Sequence, residues 1–254
     1  MRTKKIMVID TETTAKGEVF DMGHIIADLH GNILEEKQYI MVDEFQDKLW
    51  YKDKRDLYLQ YIEDGVAKLT TVEKAFQETK NLIRLHNVQE VWAYNAGFDT
   101  RKLHQLAKKH KVDNPIGHLK HQCIWTRAVQ SIMTKAKYQK WAWENEGVAI
   151  SEKGMIKTGA ETAYSFITNN PSYKEEHTSL EDCRIEYEIL LQARKSATPF
   201  FEGISNNIWL LAQTSEQIAH FPKGLKKLVV PQGQEKQAMK MLMHFKKDLE
   251  ITVK

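Results

Sequence analysis

The chain has 254 residues, of which 42% are hydrophobic and 28% are charged, and its formal net charge is +3. This composition is typical of a globular protein with a substantial core, and the small positive charge permits nucleic-acid binding without requiring it. The two cysteines, Cys123 and Cys183, are far apart in the sequence, which excludes zinc ribbons and disulfide scaffolds and favours a reducing compartment.

The N-terminal region predicts a buried strand and no targeting segment. The apolar run after Lys4-Lys5 is too short for a signal peptide, and no stretch is long enough to cross a bilayer. We therefore expect a soluble, cytoplasmic protein with no membrane partner. Residues 6–9 are mostly β-branched and apolar, which is typical of a buried central strand.

Two carboxylates stand at the C-terminal end of that strand, in the order Asp10-Thr-Glu12. Side chains at i and i+2 project from the same side of a strand, so these like charges would be held close together. Burying them is costly unless a cation lies between them, and carboxylate oxygens suit Mg²⁺ or Mn²⁺. Taken alone, the pair is also compatible with a strand end that carries solvated acids.

The rest of the chain predicts an α/β fold with a mixed central sheet flanked by helices. Two extended runs, residues 23–29 and 33–42, surround His30-Gly31-Asn32 and indicate an antiparallel hairpin. Further strands are expected at residues 88–94 and 123–125, and the spacing of apolar residues predicts helices around residues 72–83, 103–107, 160–168 and 180–193.

The predicted domain covers residues 1–195. Ser196-Ala-Thr-Pro199 is the expected boundary, and residues 196–254 form an apolar, lysine-rich C-terminal extension.

The segment from Lys135 to Lys157 has two interpretations. It is basic and contains Tyr138, Trp141 and Trp143. Such residues can bind single-stranded nucleic acid through phosphate contacts and base stacking. The interpretation we favour is a loop whose tryptophans cover the core.

Asp99 follows the loop Asn95-Ala-Gly-Phe98, where a predicted strand ends and a helix begins. The exposed amides and the dipole at a helix N-terminus favour an anion there. Asp99 is therefore a candidate site residue, although an aspartate at this point commonly serves only as a helix cap.

His177 and Asp182 surround the start of a late helix. Thr178 and Glu181 have the spacing of a capping box, which makes Thr178 the expected N-cap. His177 then lies just outside the helix and Asp182 in its first turn, so both side chains can reach a common point. Of the ten histidines, only His177 has an aspartate five positions later.

Together these motifs resemble the DEDDh branch of the DnaQ-like 3′–5′ exonuclease superfamily, whose fold is RNase H-like. The resemblance covers about residues 4–195, with all three motifs in the family's order. The sister branch would have tyrosine at position 178, where this chain has Thr178. The segment 154–164 is similar to phage-encoded members, whereas Ala15 stands where many members have glycine.

The resemblance implies a two-metal site for two Mg²⁺ or Mn²⁺ ions. Asp10, Glu12 and Asp182 would hold one ion, and Asp10 and Asp99 the other. His177 would act as general base, since histidine ordinarily has a pKa of about 6.5 and can accept a proton near neutral pH.

The same resemblance implies how substrate would bind and react. The reaction would release nucleoside 5′-monophosphates from 3′ ends, with DNA and single-stranded ends favoured, and Thr13, Thr14 and Phe98 would contact the terminal nucleotide. The expected partner is therefore a nucleic-acid 3′ end, and a polymerase or other replication partner remains open.

Three alternatives stay open at the level of sequence. An exoribonuclease would use the same residues, because they act on the phosphodiester and not on the sugar. A phosphatase with an aspartyl nucleophile also begins with an aspartate after an apolar strand, but it would have Asp-x-Asp where this chain has Glu12. An accessory subunit could bind nucleic acid without cutting it, although it would not need four acids and a histidine.

Overall fold

The structure is a computed structural model that describes residues 4–45, 54–133, 135–152, 156–195, 227–230 and 250–253. The chain divides into two compact units, and the last of the three boundaries along the chain falls within the last described helix. Unit 1 contains Met1–Cys123 and Glu175–Tyr187, and unit 2 contains Ile124–Lys174 and Glu188–Lys254. All the candidate site residues belong to unit 1. The predicted boundary at residues 196–199 and most of the predicted extension lie outside the described residues.

Unit 1 contains a six-stranded mixed sheet. Its strands are β1 (Lys5–Thr13), β2 (Val19–Asp28), β3 (Ile33–Met41), β4 (Lys68–Thr70), β5 (Glu90–Ala93) and β6 (Lys120–Cys123). They lie in the order β4-β3-β2-β1-β5-β6. The β2 strand pairs in antiparallel fashion with β1 and β3, whereas β4 pairs in parallel with β3, β5 with β1, and β6 with β5. The predicted α/β class, the mixed sheet and the hairpin are confirmed.

The helices are α1 (Arg55–Glu63), α2 (Val72–His86), α3 (Ala96–His110), α4 (Ile124–Ala128), α5 (Ala136–Glu144), α6 (Glu146–Ala149), α7 (Ala160–Thr168) and α8 (Ser179–Arg194). A π-helical turn, Val129–Met133, follows α4. Two more strands, β7 (Lys227–Val230) and β8 (Glu250–Val253), pair in parallel. No helix in the described ranges has both the length and the apolar character needed to cross a bilayer.

The main core of unit 1 lies on one face of the sheet. Apolar side chains of β1 and β2 pack there with those of α2 and α3, which explains the helical spacing seen in the sequence. The α2 helix begins where the Thr71 side chain accepts a hydrogen bond from the Lys74 amide, and it ends at Asn87 in the left-handed conformation. Buried members of this core include Met7, Ile9, Met22, Ile26, Phe76, Ile83, Leu103 and Leu106.

The other face of β2 receives the start of α8. A Cβ atom placed on Gly23 would lie only 2.4 Å from the backbone carbonyl carbon of Ser179. No side chain fits in that space, so glycine is required for the helix to approach this strand. Cys183, one turn into α8, directs its Sγ toward the carbonyl oxygen of Val8 on β1 at 3.7 Å. The helix that carries Asp182 is thereby held against the two central strands.

Some sequence predictions were wrong in detail. The first strand is longer than the predicted residues 6–9 and runs from Lys5 to Thr13, and Asp10 and Glu12 lie toward its C-terminal end as predicted. Residues 123–125 are not a strand, because β6 ends at Cys123 and α4 begins at Ile124. The predictions also missed α1 and β4, since α1 has only a weak apolar stripe and β4 is three residues long.

In unit 2, the basic aromatic segment is helical and not a loop. Tyr138 and Trp141 lie on α5, are buried, and pack against the ring of Phe166 on α7. Trp143 lies on the same helix with 52% of its surface exposed. Two of the three aromatic side chains therefore belong to the packing of this unit.

Candidate active site

The paired carboxylates lie on the face of β1 that is turned toward α8. Asp10 stands opposite Gly23 in the antiparallel pairing of β1 with β2, and Glu12 stands opposite Asp21. Directly opposed residues share a face of the sheet, and side chains two positions apart do too. This arrangement places three carboxylates on one small area of the sheet.

Asp99 joins this group from the first turn of α3. The helix begins after Asn95, whose backbone is left-handed with φ +67°, so Asn95 and not Asp99 occupies the N-cap position. The Asp99 side chain is 2% exposed, and its Oδ1 accepts a hydrogen bond of 2.8 Å from the Thr11 hydroxyl. Thr11 lies between Asp10 and Glu12, so this bond attaches Asp99 to the strand that bears the pair.

His177 and Asp182 complete the group. A nitrogen of His177 and carboxylate oxygens of Glu12 and Asp182 lie within 4.8 Å of one another. His177 is exposed and has a left-handed backbone, φ +53°, just before α8 begins. Its carbonyl oxygen accepts a hydrogen bond of 2.8 Å from the Lys54 ammonium group.

The predicted capping box was only partly informative. Thr178 precedes the first helical residue and its carbonyl accepts the Asp182 amide at 2.9 Å, as expected of an N-cap residue. Glu181, however, forms an ion pair with Arg184 at 3.2 Å. The amide of Ser179 is bonded to the Asp21 carboxylate. The start of α8 is therefore stabilised by Asp21 of β2, and no local motif can reveal a contact between residues so far apart in sequence.

The electrostatic environment raises the pKa of each predicted acid. Burial, followed by repulsion from Asp21, raises the pKa of Glu12 to about 8, despite the opposing effect of Lys54. Burial, followed by repulsion from Glu175 and Glu12, raises the pKa of Asp182 to about 8. These two acids therefore influence each other across the space between β1 and α8.

Asp10 and Asp99 are affected in the same way. Burial raises the pKa of Asp99 to about 7, although the hydrogen bond from Thr11 acts in the other direction. The pKa of Asp10 is raised well above its usual range by burial and then by Asp99, Glu186, Asp182 and Glu12. Asp10 is thus close to all three of the other predicted acids, and the structure brings the four together.

The donor set suits divalent cations. Several carboxylates that repel one another, with an imidazole beside them, provide the oxygen-rich environment that Mg²⁺ or Mn²⁺ prefers. Oδ1 of Asp182 is buried and has no hydrogen-bond partner among the described residues. A buried oxygen without a hydrogen-bond partner is normally bound by a ligand, a water or an ion. The residues present therefore fit the expected metal.

Further charged residues belong to this neighbourhood and were not predicted, among them Glu186, Asp21 and Lys54. Glu186 lies one helical turn after Asp182 and is 3% exposed. Its i, i+4 relation to Asp182 was a signal that could have identified it. Asp21 could have been noticed as an acid within an apolar strand. Lys54 had no signal in the sequence, since it comes near Glu12 and Asp182 only through folding.

The predicted nucleotide contacts lie around the end of β1 and the start of α3. Thr13 is the last residue of β1, at a bulge in its pairing with β2. Thr14 is buried, and its hydroxyl accepts the Glu18 amide at 3.3 Å, which stabilises the following turn. Phe98 is partly buried, with the Lys102 ammonium group 5.5 Å from the centre of its ring.

Comparison with known proteins supports the fold. No protein-family model and no curated protein matches the chain. Several solved structures do match, among them the crystal structure of cell-death related nuclease 4 (CRN-4), with a TM-score of 0.51 and 12% sequence identity. The match covers 76% of this chain and 64% of that one, so this chain spans less than two thirds of the neighbour's length. The predicted RNase H-like fold is thereby confirmed.

Proposed function

We propose that this chain is a metal-dependent 3′–5′ exonuclease of the DEDDh type that releases nucleoside 5′-monophosphates from DNA 3′ ends, preferably single-stranded. One observation carries the proposal: the atoms of Glu12, His177 and Asp182 lie within 4.8 Å of one another, beside the buried carboxylates of Asp10 and Asp99. The fold shared with a nuclease supports the same conclusion.

In this mechanism, the acids would hold the divalent cations beside the substrate phosphate. Asp10, Glu12 and Asp182 would hold one divalent ion, and Asp10 and Asp99 the other. When bound, the two ions would supply the positive charge that stabilises the attacking and leaving oxygens of a phosphodiester. The low exposure of Asp99 limits competition from water and strengthens electrostatic interactions at the site.

His177 would accept the proton of the attacking water. Its exposed side chain lies on the solvent side of the acids, where a water or a 3′ terminal nucleotide can approach. The neighbouring Glu175 carboxylate, 3.5 Å from Nδ1, would orient the ring and stabilise its protonated form. Thr13, Thr14 and Phe98 would contact the terminal nucleotide, with Phe98 providing an apolar ring for the base or sugar.

The direct test uses oligonucleotides carrying a label at either end. The protein is incubated with single- and double-stranded DNA and RNA, with Mg²⁺, with Mn²⁺ or with EDTA. We expect stepwise shortening of DNA from its 3′ end, with 5′-monophosphate products, and no cleavage in EDTA. Faster degradation of RNA would favour an exoribonuclease. Binding without cleavage under any metal condition would favour an accessory subunit, and a phosphoenzyme formed on Asp10 would favour a phosphatase.

A further inference from the structure

A third carboxylate on the sheet, which is not one of the expected metal ligands, connects the central strands to the helix that bears His177 and Asp182 at its start. Asp21 lies on β2, opposite Glu12, and is fully buried. Its Oδ2 accepts the backbone amide of Ser179 at 3.0 Å, and its Oδ1 accepts the Ser179 hydroxyl at 2.5 Å. Ser179 is the first residue of α8, two positions after His177 and three before Asp182.

Asp21 is itself held in place from two other elements. The Gln38 side-chain amide on β3 donates to both of its carboxylate oxygens, at 3.2 and 3.0 Å. The Tyr58 hydroxyl on α1 donates to Oδ2 at 3.1 Å. A buried carboxylate with this many donors is rigid, since rotation would leave several buried groups without partners.

The first amides of a helix have no partner within the helix and are commonly satisfied by an acid just before it in sequence. In α8 this acid comes from β2, 158 residues away in sequence. The close packing of Gly23 against the Ser179 backbone fixes the distance between strand and helix at the same point. Hydrogen bonding and packing therefore act together on the start of α8.

We propose that Asp21 is a positioning residue for the nuclease reaction: by binding Ser179, it fixes the start of α8 so that His177 and Asp182 face Glu12 and Asp10. This inference rests on the proposed function. Asp21 forms hydrogen bonds with Ser179 and with neither His177 nor Asp182, so its positioning effect passes through the helix, while its charge also repels Glu12 and Asp182. A misplacement of about 1 Å at a site of this kind can lower the rate about 100-fold.

The test compares Asp21→Asn with Ser179→Ala and with a control on the same strand. Asparagine has the shape of aspartate but only one acceptor oxygen, so it cannot accept hydrogen bonds from the amide and hydroxyl of Ser179, the Gln38 amide and the Tyr58 hydroxyl all at once. We expect Asp21→Asn to lower kcat by about 10- to 100-fold with KM within about twofold of the wild-type value. Ser179→Ala should lower kcat by a smaller factor, and the double variant by less than the product of the two.

Asp28→Asn is the matched control. Asp28 lies at the far end of β2, where its carboxylate accepts the His30 and Asn32 amides, away from the α8 start. We expect this variant to lose thermal stability while it keeps its kcat. If Asp21→Asn keeps the wild-type kcat, or if Asp28→Asn loses as much kcat as Asp21→Asn, the proposal is wrong. If Asp21→Asn does not fold, the Ser179→Ala variant decides: a wild-type kcat in that variant would show that the proposal is wrong.

Amide hydrogen exchange tests the positioning without any catalysis. Asp21→Asn should speed exchange at Ser179 at least about tenfold and leave the amides of β5 unchanged. Unaltered exchange at Ser179 would contradict the positioning role. If the wild-type protein cleaves no substrate, the proposed function fails, and exchange at Ser179 still decides whether Asp21 holds the helix.

Discussion

The Glu186 carboxylate on α8 accepts a hydrogen bond from the Tyr94 backbone amide, with 3.1 Å between Oε2 and the nitrogen. Tyr94 directly follows β5 and precedes Asn95, which has a left-handed backbone and after which the helix carrying Asp99 begins. Glu186 therefore joins the helix of one motif to the loop of another. It also adds a buried negative charge close to Asp99, and both effects can be separated by substitution.

Glu186→Gln should leave the metal-free protein at least as stable as the wild type, whereas Glu186→Ala should lower the free energy of unfolding by about 2–3 kcal/mol. Glutamine keeps an acceptor for the Tyr94 amide and removes the repulsion, but alanine leaves that amide without its partner. Urea unfolding in EDTA provides the measurement. Equal losses in the two variants would show that the Tyr94 contact is unimportant.

Asp10→Asn should lower cleavage at least about 10³-fold, because stabilisation by the ions accounts for several kcal/mol of the barrier. The fold should persist, and in metal-free buffer the melting temperature should rise, because one of several repelling carboxylates is neutralised. Cleavage assays and thermal unfolding in EDTA provide the two measurements. Cleavage close to the wild-type rate would remove Asp10 from the mechanism.

His177→Ala should lower the rate about 10²- to 10⁴-fold near neutral pH, the usual contribution of a general base. Unfolding experiments should show little change, because the side chain is exposed. His104→Ala provides a control, since His104 is an exposed residue of α3 outside the site. Equal rates for the two variants would exclude His177 as the base.

The metal-free protein should lose stability as the pH rises from about 4 to about 8. In the folded state the pKa values of Glu12 and Asp182 are raised to about 8, whereas unfolded carboxyl groups titrate near pH 4. The folded state therefore holds more protons in this window, and the free energy of unfolding falls with increasing pH. Urea unfolding at several pH values in EDTA measures the slope, and Mg²⁺ should counteract it at high pH. A free energy of unfolding that increases across this window would contradict the assignment.

At acidic pH, Asp28 should make the free energy of unfolding depend on pH in the opposite direction, so that it falls as the pH decreases. The side chain of Asn32, with the backbone amides of His30 and Asn32, lowers the pKa of Asp28 to about 2. Its contribution to stability is complete above about pH 4 and is lost as the pH falls toward 2. Asp28→Asn should therefore flatten the acid limb of the stability curve. An unchanged acid limb would show that these hydrogen bonds do not stabilise the ionised form.

The sequence by itself determined most of the fold and the chemical types in the site. Periodicity revealed the hairpin and helix α2, because apolar faces must repeat at the period of the element that buries them. Asp10, Glu12, Asp99, His177 and Asp182 could be named because their three motifs occur together in the order of the exonuclease family that the sequence resembles. The short strand β4 and helix α1 were missed because their packing depends on residues distant in sequence.

Only the tertiary structure decided how these residues meet and what supports them. Asp21, Glu186 and Lys54 act on the site from β2, from later in α8 and from the start of α1, and no local pattern brings them together. The reason is physical: burial and repulsion depend on distances in space, and a strand and a helix far apart in sequence become neighbours only when Gly23 allows their backbones to touch. Local propensity predicts where each helix and strand forms. Tertiary packing determines which charged side chains are buried next to one another.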